Sequence, residues 1–502
     1  MIENPDTAET PHPPTPPAAI APAPPSEAPL SEEVVRRRRL SVNLDDNRGL
    51  FRIGLAGLVA IVIYFVNTAK VEDIFHLYLG ETIIILAAVP ALLWSRREDN
   101  GFPVFEVFML TCANTYAMPL LNGHQALASY DKSIITQAAL AIVVFQAIAV
   151  ITYLTVKASP KFTPFWAKEM ISEEHSRFLA YGMTVTTAYT IASNFFDLIP
   201  KDFEGPARAV FFGIGIACTF ITCRKWGQGT LKAPDKVFFT INLIVQVIML
   251  TVSLFLVGGI SIIVLGVLGY VAGSRRLPYL VLIPLIPVVG LLHNGKSEMR
   301  ARHWEGAGKR VELVDIPAFY AEWVSYGMPD EKKQESKSTA KLLERTSLFH
   351  IMCLVVDQTP AKQPYLFGET YSYIPGQFVP RWFWANKPSG HVSTYRLCVY
   401  YGLQTEEETQ KTTIGFGMLT EAYANFGFLG MAGLGFVMAL TFRKLTGWAS
   451  QSPTLSYGGL MMVLLMASSF QVELTMSIWL ASLFQACVAV LGIPLLLRSF
   501  LG

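Results

Sequence analysis

Residues 133–157 read SIITQAALAIVVFQAIAVITYLTVK, with no charge until Lys157. At 1.5 Å per residue, a helix of that length covers about 36 Å, enough to cross roughly 30 Å of hydrocarbon. Working outward, similar apolar stretches lie near 51–69, 75–94, 102–122, 177–199, 206–223, 277–293, 423–441, 456–472 and 474–498. The block 236–273 is too long for one span, and Gly258, Gly259 and Ser261 offer a break that predicts two helices. The reading is an all-α polytopic membrane protein with about twelve transmembrane helices. Composition agrees: of 502 residues, 52% are hydrophobic and 16% charged, against roughly 25% charged in soluble domains. A cytosolic enzyme, a disordered scaffold and a nucleic-acid binder are excluded.

The net charge of +2 hides a strong asymmetry along the chain. Arg36 to Arg39 precede the first span. Every second loop is then basic: Arg96–Arg97; Lys157 to Arg177; Arg224 to Lys236; Arg275–Arg276; Arg443–Lys444; and finally Arg498. The intervening short loops carry only Lys70, Lys132, Lys201 and Arg208. This is the positive-inside pattern, and it predicts both termini in the cytoplasm. The chain divides accordingly. Residues 1–32 hold ten of the thirty prolines and read as a disordered cytoplasmic tail. Residues 33–50 form a basic juxtamembrane segment, 51–293 a bundle of about nine helices, 294–415 one large outer loop, and 416–502 a bundle of about three helices.

The outer loop is too long and too aromatic for a passive linker. Residues 297–325 read as a helix interrupted near Gly306–Gly308, and 340–356 as an amphipathic helix. Lys296 and Arg300 stand four apart at the outer mouth of a span and share a helix face. Arg302, Arg310 and Arg345 follow. Arginine forks suit diphosphates and other anionic headgroups, whereas Arg302 and Arg310 read as interfacial snorkelling residues. Tyr371, Arg381 and Lys387 belong to a run of aromatics and cations able to stack on sugars and hold anions. Glu421 lies just before an apolar span, where an unpaired carboxylate is costly. It is expected either to pair with an arginine or to move protons. His391 is a second candidate base and a plausible turn residue; Glu72–Asp73, a solvated loop pair or an acid, is the third.

The series Arg345, Gly368-x-x-Tyr371, Pro380–Arg381, Lys387–Pro388, Glu421 and Asn425-x-Gly427-x-x-Gly430 resembles bacterial Wzy-type O-antigen and exopolysaccharide repeat-unit polymerases. The motif-bearing part covers about 294–430, and the remaining spans match in architecture alone. The resemblance implies a GT-C-like bundle in the bacterial inner membrane, with the large loop periplasmic and catalytic. It also implies a glycosyltransferase that polymerises undecaprenyl-diphosphate-linked glycans and uses no cofactor, nucleotide sugar or metal. Glu421, Arg345, Arg300 and His391 would then be catalytic, and Lys296, Tyr371, Arg381, Lys387 and Asn425 substrate-binding. Membrane lipids and other envelope polysaccharide assembly proteins are the implied partners; nucleic acid is not one. An O-antigen ligase shares these features. A lipid-linked oligosaccharide flippase or a structural assembly factor is a reading from a different class.

Six cysteines do not make a disulfide framework. Cys112, Cys218, Cys223 and Cys487 fall in or beside apolar spans. Cys353 and Cys398 share the outer loop, where a bridge between them stays open. No C-x-x-C or H-E-x-x-H pattern supports a metal site.

Overall fold

The computed structural model describes residues 44–96, 102–157, 177–196, 201–254, 256–305, 311–328, 348–379, 383–384, 386–409, 413–449, 452 and 456–492. The proline-rich tail, Arg36–Arg39, Arg310, Arg345 and Arg381 lie outside them. The regular elements of the described residues are all helical. The principal ones are α1 (Leu44–Thr68), α2 (Ile74–Ser95), α3 (Val104–Leu121), α4 (Lys132–Thr155), α5 (Arg177–Phe195), α6 (Lys201–Gly227), α7 (Ala233–Thr251) and α8 (Leu256–Ser274). They continue with α9 (Tyr279–Arg300), α10 (Ile316–Gly327), α11 (Leu348–Gln358), α12 (Val392–Tyr400), α13 (Met418–Ala449), α14 (Tyr457–Ser469) and α15 (Met476–Cys487).

Seven of these helices are long and apolar enough to cross a membrane: α1, α2, α3, α4, α7, α9 and α13. Four shorter apolar stretches, Gly258–Ser274, Leu348–Gln358, Tyr457–Ser469 and Met476–Gly492, accompany them. The chain is an all-α membrane protein. Exposed apolar residues follow from that environment: Leu280, Ile283 and Ile286 of α9 and Ile63, Tyr64 and Val66 of α1 lie on the outside, where hydrocarbon solvates them as well as a protein core does.

The centre is α4 packed along α13, with α2, α3 and α11 around them. The approach of α13 to α4 is close because Gly435 faces the Phe145 carbonyl, where a Cβ would sit at 2.5 Å. Phe105 stacks on Tyr153 at 4.1 Å, Phe108 meets Phe442 edge-on at 5.4 Å, and Phe442 meets Trp479 at 6.3 Å. Aromatic pairs in such geometries add about 0.5–1.5 kcal/mol each beyond their buried area.

The break in 236–273 falls elsewhere than the glycines predict. The chain turns at Val252–Leu254, with Leu254 at φ 60°, and the glycines lie inside α8. Gly259 lets α8 approach the Thr251 side chain of α7, and Gly269 faces the Phe220 carbonyl of α6. The glycines mark close helix contacts rather than a turn, as small residues commonly do between membrane helices. Two further boundaries shift. α9 runs through His293 to Arg300, so the loop expected from 294 begins one to two turns later. Glu421 lies inside α13 rather than before it.

One end of the bundle is basic. Arg275 stacks over Trp94 at 3.9 Å, Arg224 over Phe102 at 4.8 Å and Arg443 over Tyr153 at 5.1 Å. The described residues from α11 to the start of α13 gather at the other end. They do not form a separate domain: Leu348, Phe349, Met352, Cys353 and Cys398 are buried in the same core as Phe105 and Phe442. All six cysteines are free thiols; Cys353 and Cys398 fill core space.

At that end His350 of α11 faces His124, ring centroids 6.2 Å apart, and its Nε2 lies 3.4 Å from the Tyr130 hydroxyl. Burial, and then the neighbouring His124, pull the His350 imidazole down to about 4. An unfolded histidine titrates near 6.5. Below that value the unfolded chain binds the extra proton and the folded one does not. The contribution to stability is therefore complete above pH 6.5 and is lost as pH falls toward 4. We expect the thermal midpoint in detergent to fall over that window, and to fall less in His350→Gln. An identical pH profile in the variant would exclude this origin.

Candidate functional site at the break in α13

α13 is not one continuous helix. At Gly427 the backbone adopts φ 60° and ψ −139°, a conformation open essentially to glycine alone. A break leaves carbonyls of the preceding turn without their helical N–H partners, and hydrocarbon provides none. The loop segment 366–368 supplies them. Leu366 N–H donates to the Ala424 carbonyl at 3.1 Å, Phe367 N–H to the Asn425 carbonyl at 3.1 Å, and Gly368 N–H to Asn425 Oδ1 at 2.9 Å. Asn425 Nδ2 donates to Thr370 Oγ1 and to the Glu421 carbonyl, both at 2.8 Å. The two motifs Gly368-x-x-Tyr371 and Asn425-x-Gly427-x-x-Gly430 are thus the two halves of one joint. Gly368, at φ 91°, turns the loop into it, and Gly430 passes directly beside the Ala422 carbonyl.

Glu421 lies one helical turn before Asn425 and is completely buried. Its Oε2 accepts the Met476 N–H at 2.6 Å, the first residue of α15. A carboxylate at a helix N-terminus is favoured by the unpaired N–H groups and the helix dipole. Its Oε1 is buried as well. The Thr370 hydroxyl, which already accepts from Asn425, stands beside the carboxylate with its own proton to give. Further hydroxyls enclose the group: Ser393 donates to the Thr370 carbonyl at 2.9 Å, and Thr394 pairs with Thr475 at 3.0 Å. Tyr371 stacks against Phe426 at 6.4 Å. Burial, and then the Glu421 carboxylate, hold the Tyr371 phenol far above the usual tyrosine range.

Two more charged side chains sit here without having been singled out by sequence. Arg396 of α12 holds Glu369 in a fork, with Nε to Oε1 at 2.7 Å and Nη2 to Oε2 at 3.3 Å. Glu473, in the turn before α15, accepts Gly417 N–H through its carbonyl at 2.9 Å; burial raises its carboxyl. Arg396 falls inside an aromatic-rich run 27 residues from its partner, and no local pattern marks it.

The structure thus brings Glu421, Asn425 and Tyr371 together. Lys387 belongs to the same loop, but its ammonium donates to the carbonyls of Val379 at 2.8 Å and Gln377 at 3.3 Å. His391 precedes α12, is exposed, and stacks on Tyr395 at 5.8 Å. Lys296 and Arg300 stand apart, in a smaller cluster where α9 and α10 pack on each other around Met299, Phe319 and Trp323. Arg300 Nη2 donates to the Leu254 carbonyl at 3.0 Å, closing the turn between α7 and α8. Arg302 binds Glu322 at 2.9 Å and the Tyr326 hydroxyl at 3.0 Å. Asp73 caps α2 by accepting Phe75 N–H at 2.9 Å, while Glu72 pairs with Lys132 at 3.7 Å. Arg345 and Arg381 lie outside the described residues. No family model, curated protein or solved structure matches the chain.

Proposed function

We propose that the chain is a polymerase of undecaprenyl-diphosphate-linked oligosaccharides in the bacterial inner membrane, with about twelve spans. The basic end of the bundle would face the cytoplasm and the α13 break the periplasm. One observation carries this reading: a fully buried carboxylate, held by the Met476 N–H with the Thr370 hydroxyl beside it, set at the interruption of a membrane helix under an aromatic loop. Ionisable groups inside a membrane bundle are costly and are kept where a proton or a charge must be handled.

In the proposed step, Glu421 takes the proton of an acceptor sugar hydroxyl. The hydroxyl oxygen bonds to the anomeric carbon of the donor, whose bond to the diphosphate oxygen breaks. The lipid diphosphate leaves with the electron pair. Arginines of the loop would stabilise that charge, Arg345 foremost; Arg396 is already held in its fork by Glu369. Met476 N–H holds the carboxylate in place, and Thr370 and Asn425 fix its surroundings. Because Glu421 is enclosed, an acceptor reaches it when the segment 365–372 moves off α13. That opening would break three backbone N–H bonds to α13 and the Asn425–Thr370 bond, and disturb the Ser393 and Arg396 contacts of the segment.

Purified protein incubated with an undecaprenyl-diphosphate-linked repeat unit should give a ladder of glycan lengths. A single transfer to a lipid acceptor would instead identify a ligase. Movement of the unit across a liposome membrane with no new bond would identify a flippase.

A further inference from the structure

Residues 371–379 lead away from the Glu421 site and 386–391 lead back to it. Both roots are pinned in the buried polar cluster: Ser393 Oγ donates to the Thr370 carbonyl at 2.9 Å, and Thr394 bonds Thr475 at 3.0 Å. Between the roots, the short helix Ile374–Gln377 packs along α15, and Phe378 meets Phe484 edge-on at 5.0 Å. Phe484 stands eight residues beyond Met476, about 12 Å along the α15 axis at 1.5 Å per residue. The excursion therefore runs down the flank of an apolar helix instead of rising above its end. Lys387 draws it closed through the Gln377 and Val379 carbonyls.

What the excursion exposes is apolar. Phe383 is 83% exposed, Trp384 46% and Phe378 38%. Trp384 lies against Gly376 of the short helix, and Phe378 joins it to Phe484 of α15, which is exposed too, as is Val488 just after that helix. Such a face is unfavourable in water, and Trp and Phe are residues that favour the membrane–water interface.

We propose that Phe378, Phe383 and Trp384 are seated in the lipid leaflet that α15 enters, so that this loop is a membrane-dipping element rooted at the Glu421 site. The occupant is the glycerol and upper acyl region of the bilayer. The proposal rests on the chain being a membrane protein and stands independently of the polymerase reading.

A spin label at Phe383→Cys tests it, in protein reconstituted into phosphatidylcholine–phosphatidylglycerol liposomes. Glu407→Cys, on the exposed helix Glu406–Thr409, gives the aqueous reference, and unsubstituted protein gives the labelling background. Phe383 has almost no packing to lose, so the substitution leaves the fold intact. Power-saturation spectroscopy should find the label at 383 at least threefold more accessible to oxygen than to a water-soluble nickel chelate, with the order reversed at 407. Nickel accessibility at 383 equal to that at 407 would overturn the proposal.

Discussion

Glu421→Gln should lower polymer formation by at least about a hundredfold, the lower range for loss of a general base, while leaving the fold and donor binding intact. The substitution is informative because it separates two roles of one side chain. Glutamine keeps a carbonyl oxygen that accepts the Met476 N–H, so α15 stays joined to α13 as in the wild type. It removes the ability to take a proton and turns the second carboxylate oxygen into an amide donor beside Thr370. Glu421→Leu removes both and should also lower the thermal midpoint, because Met476 N–H would then be buried without an acceptor. An unmet buried donor costs about 1–3 kcal/mol. Loss of activity with a wild-type midpoint in the glutamine variant marks chemistry. Equal activity in that variant would reduce Glu421 to a helix cap.

The second large effect is on stability. Gly427→Ala should destabilise the protein by about 2 kcal/mol or more, from backbone strain at φ 60°, ψ −139° alone. The added methyl would also lie 2.7 Å from the Tyr365 hydroxyl, forcing the loop away from the carbonyls it satisfies. Thermal unfolding in detergent measures the combined loss. Gly433→Ala is the control: a Cβ there meets nothing within 4 Å, and alanine is the better helix former by about 1 kcal/mol. A Gly427→Ala protein as stable as the control would show that the break is not built on that glycine.

Much of the helical architecture was legible because the bilayer imposes it: long uncharged runs have few alternatives to helices. The apolar stretches 75–94 and 133–157 match α2 and α4 to within two residues. Two features were read incorrectly, for one physical reason. Glycine supports a turn and a close helix contact equally well, and hydropathy does not distinguish them. Gly258 and Gly259 therefore looked like a break but sit inside α8, whereas Gly427, within a continuous apolar run, is the true interruption. The site was half legible. Glu421 stood out as a carboxylate in apolar surroundings, and Asn425 and Tyr371 through their motifs. Their mutual contact did not, because the loop and the break lie 57 residues apart. Lys387 and Arg300 were attractive as cations, but their donors are engaged with backbone carbonyls. Arg396 escaped notice because an ion pair between distant segments leaves no local spacing.

The central claim, that Glu421 drives transfer from a lipid diphosphate, is tested most directly by counting both products of one reaction. Reconstituted wild-type protein and Glu421→Gln are given the same lipid-linked repeat unit, and free undecaprenyl diphosphate and new glycosidic bonds are measured over time. The account predicts one lipid diphosphate released for each bond formed in the wild type, and neither product at a comparable rate in the variant. Bond formation at the wild-type rate in Glu421→Gln, or no bond formation by the wild type, would contradict it.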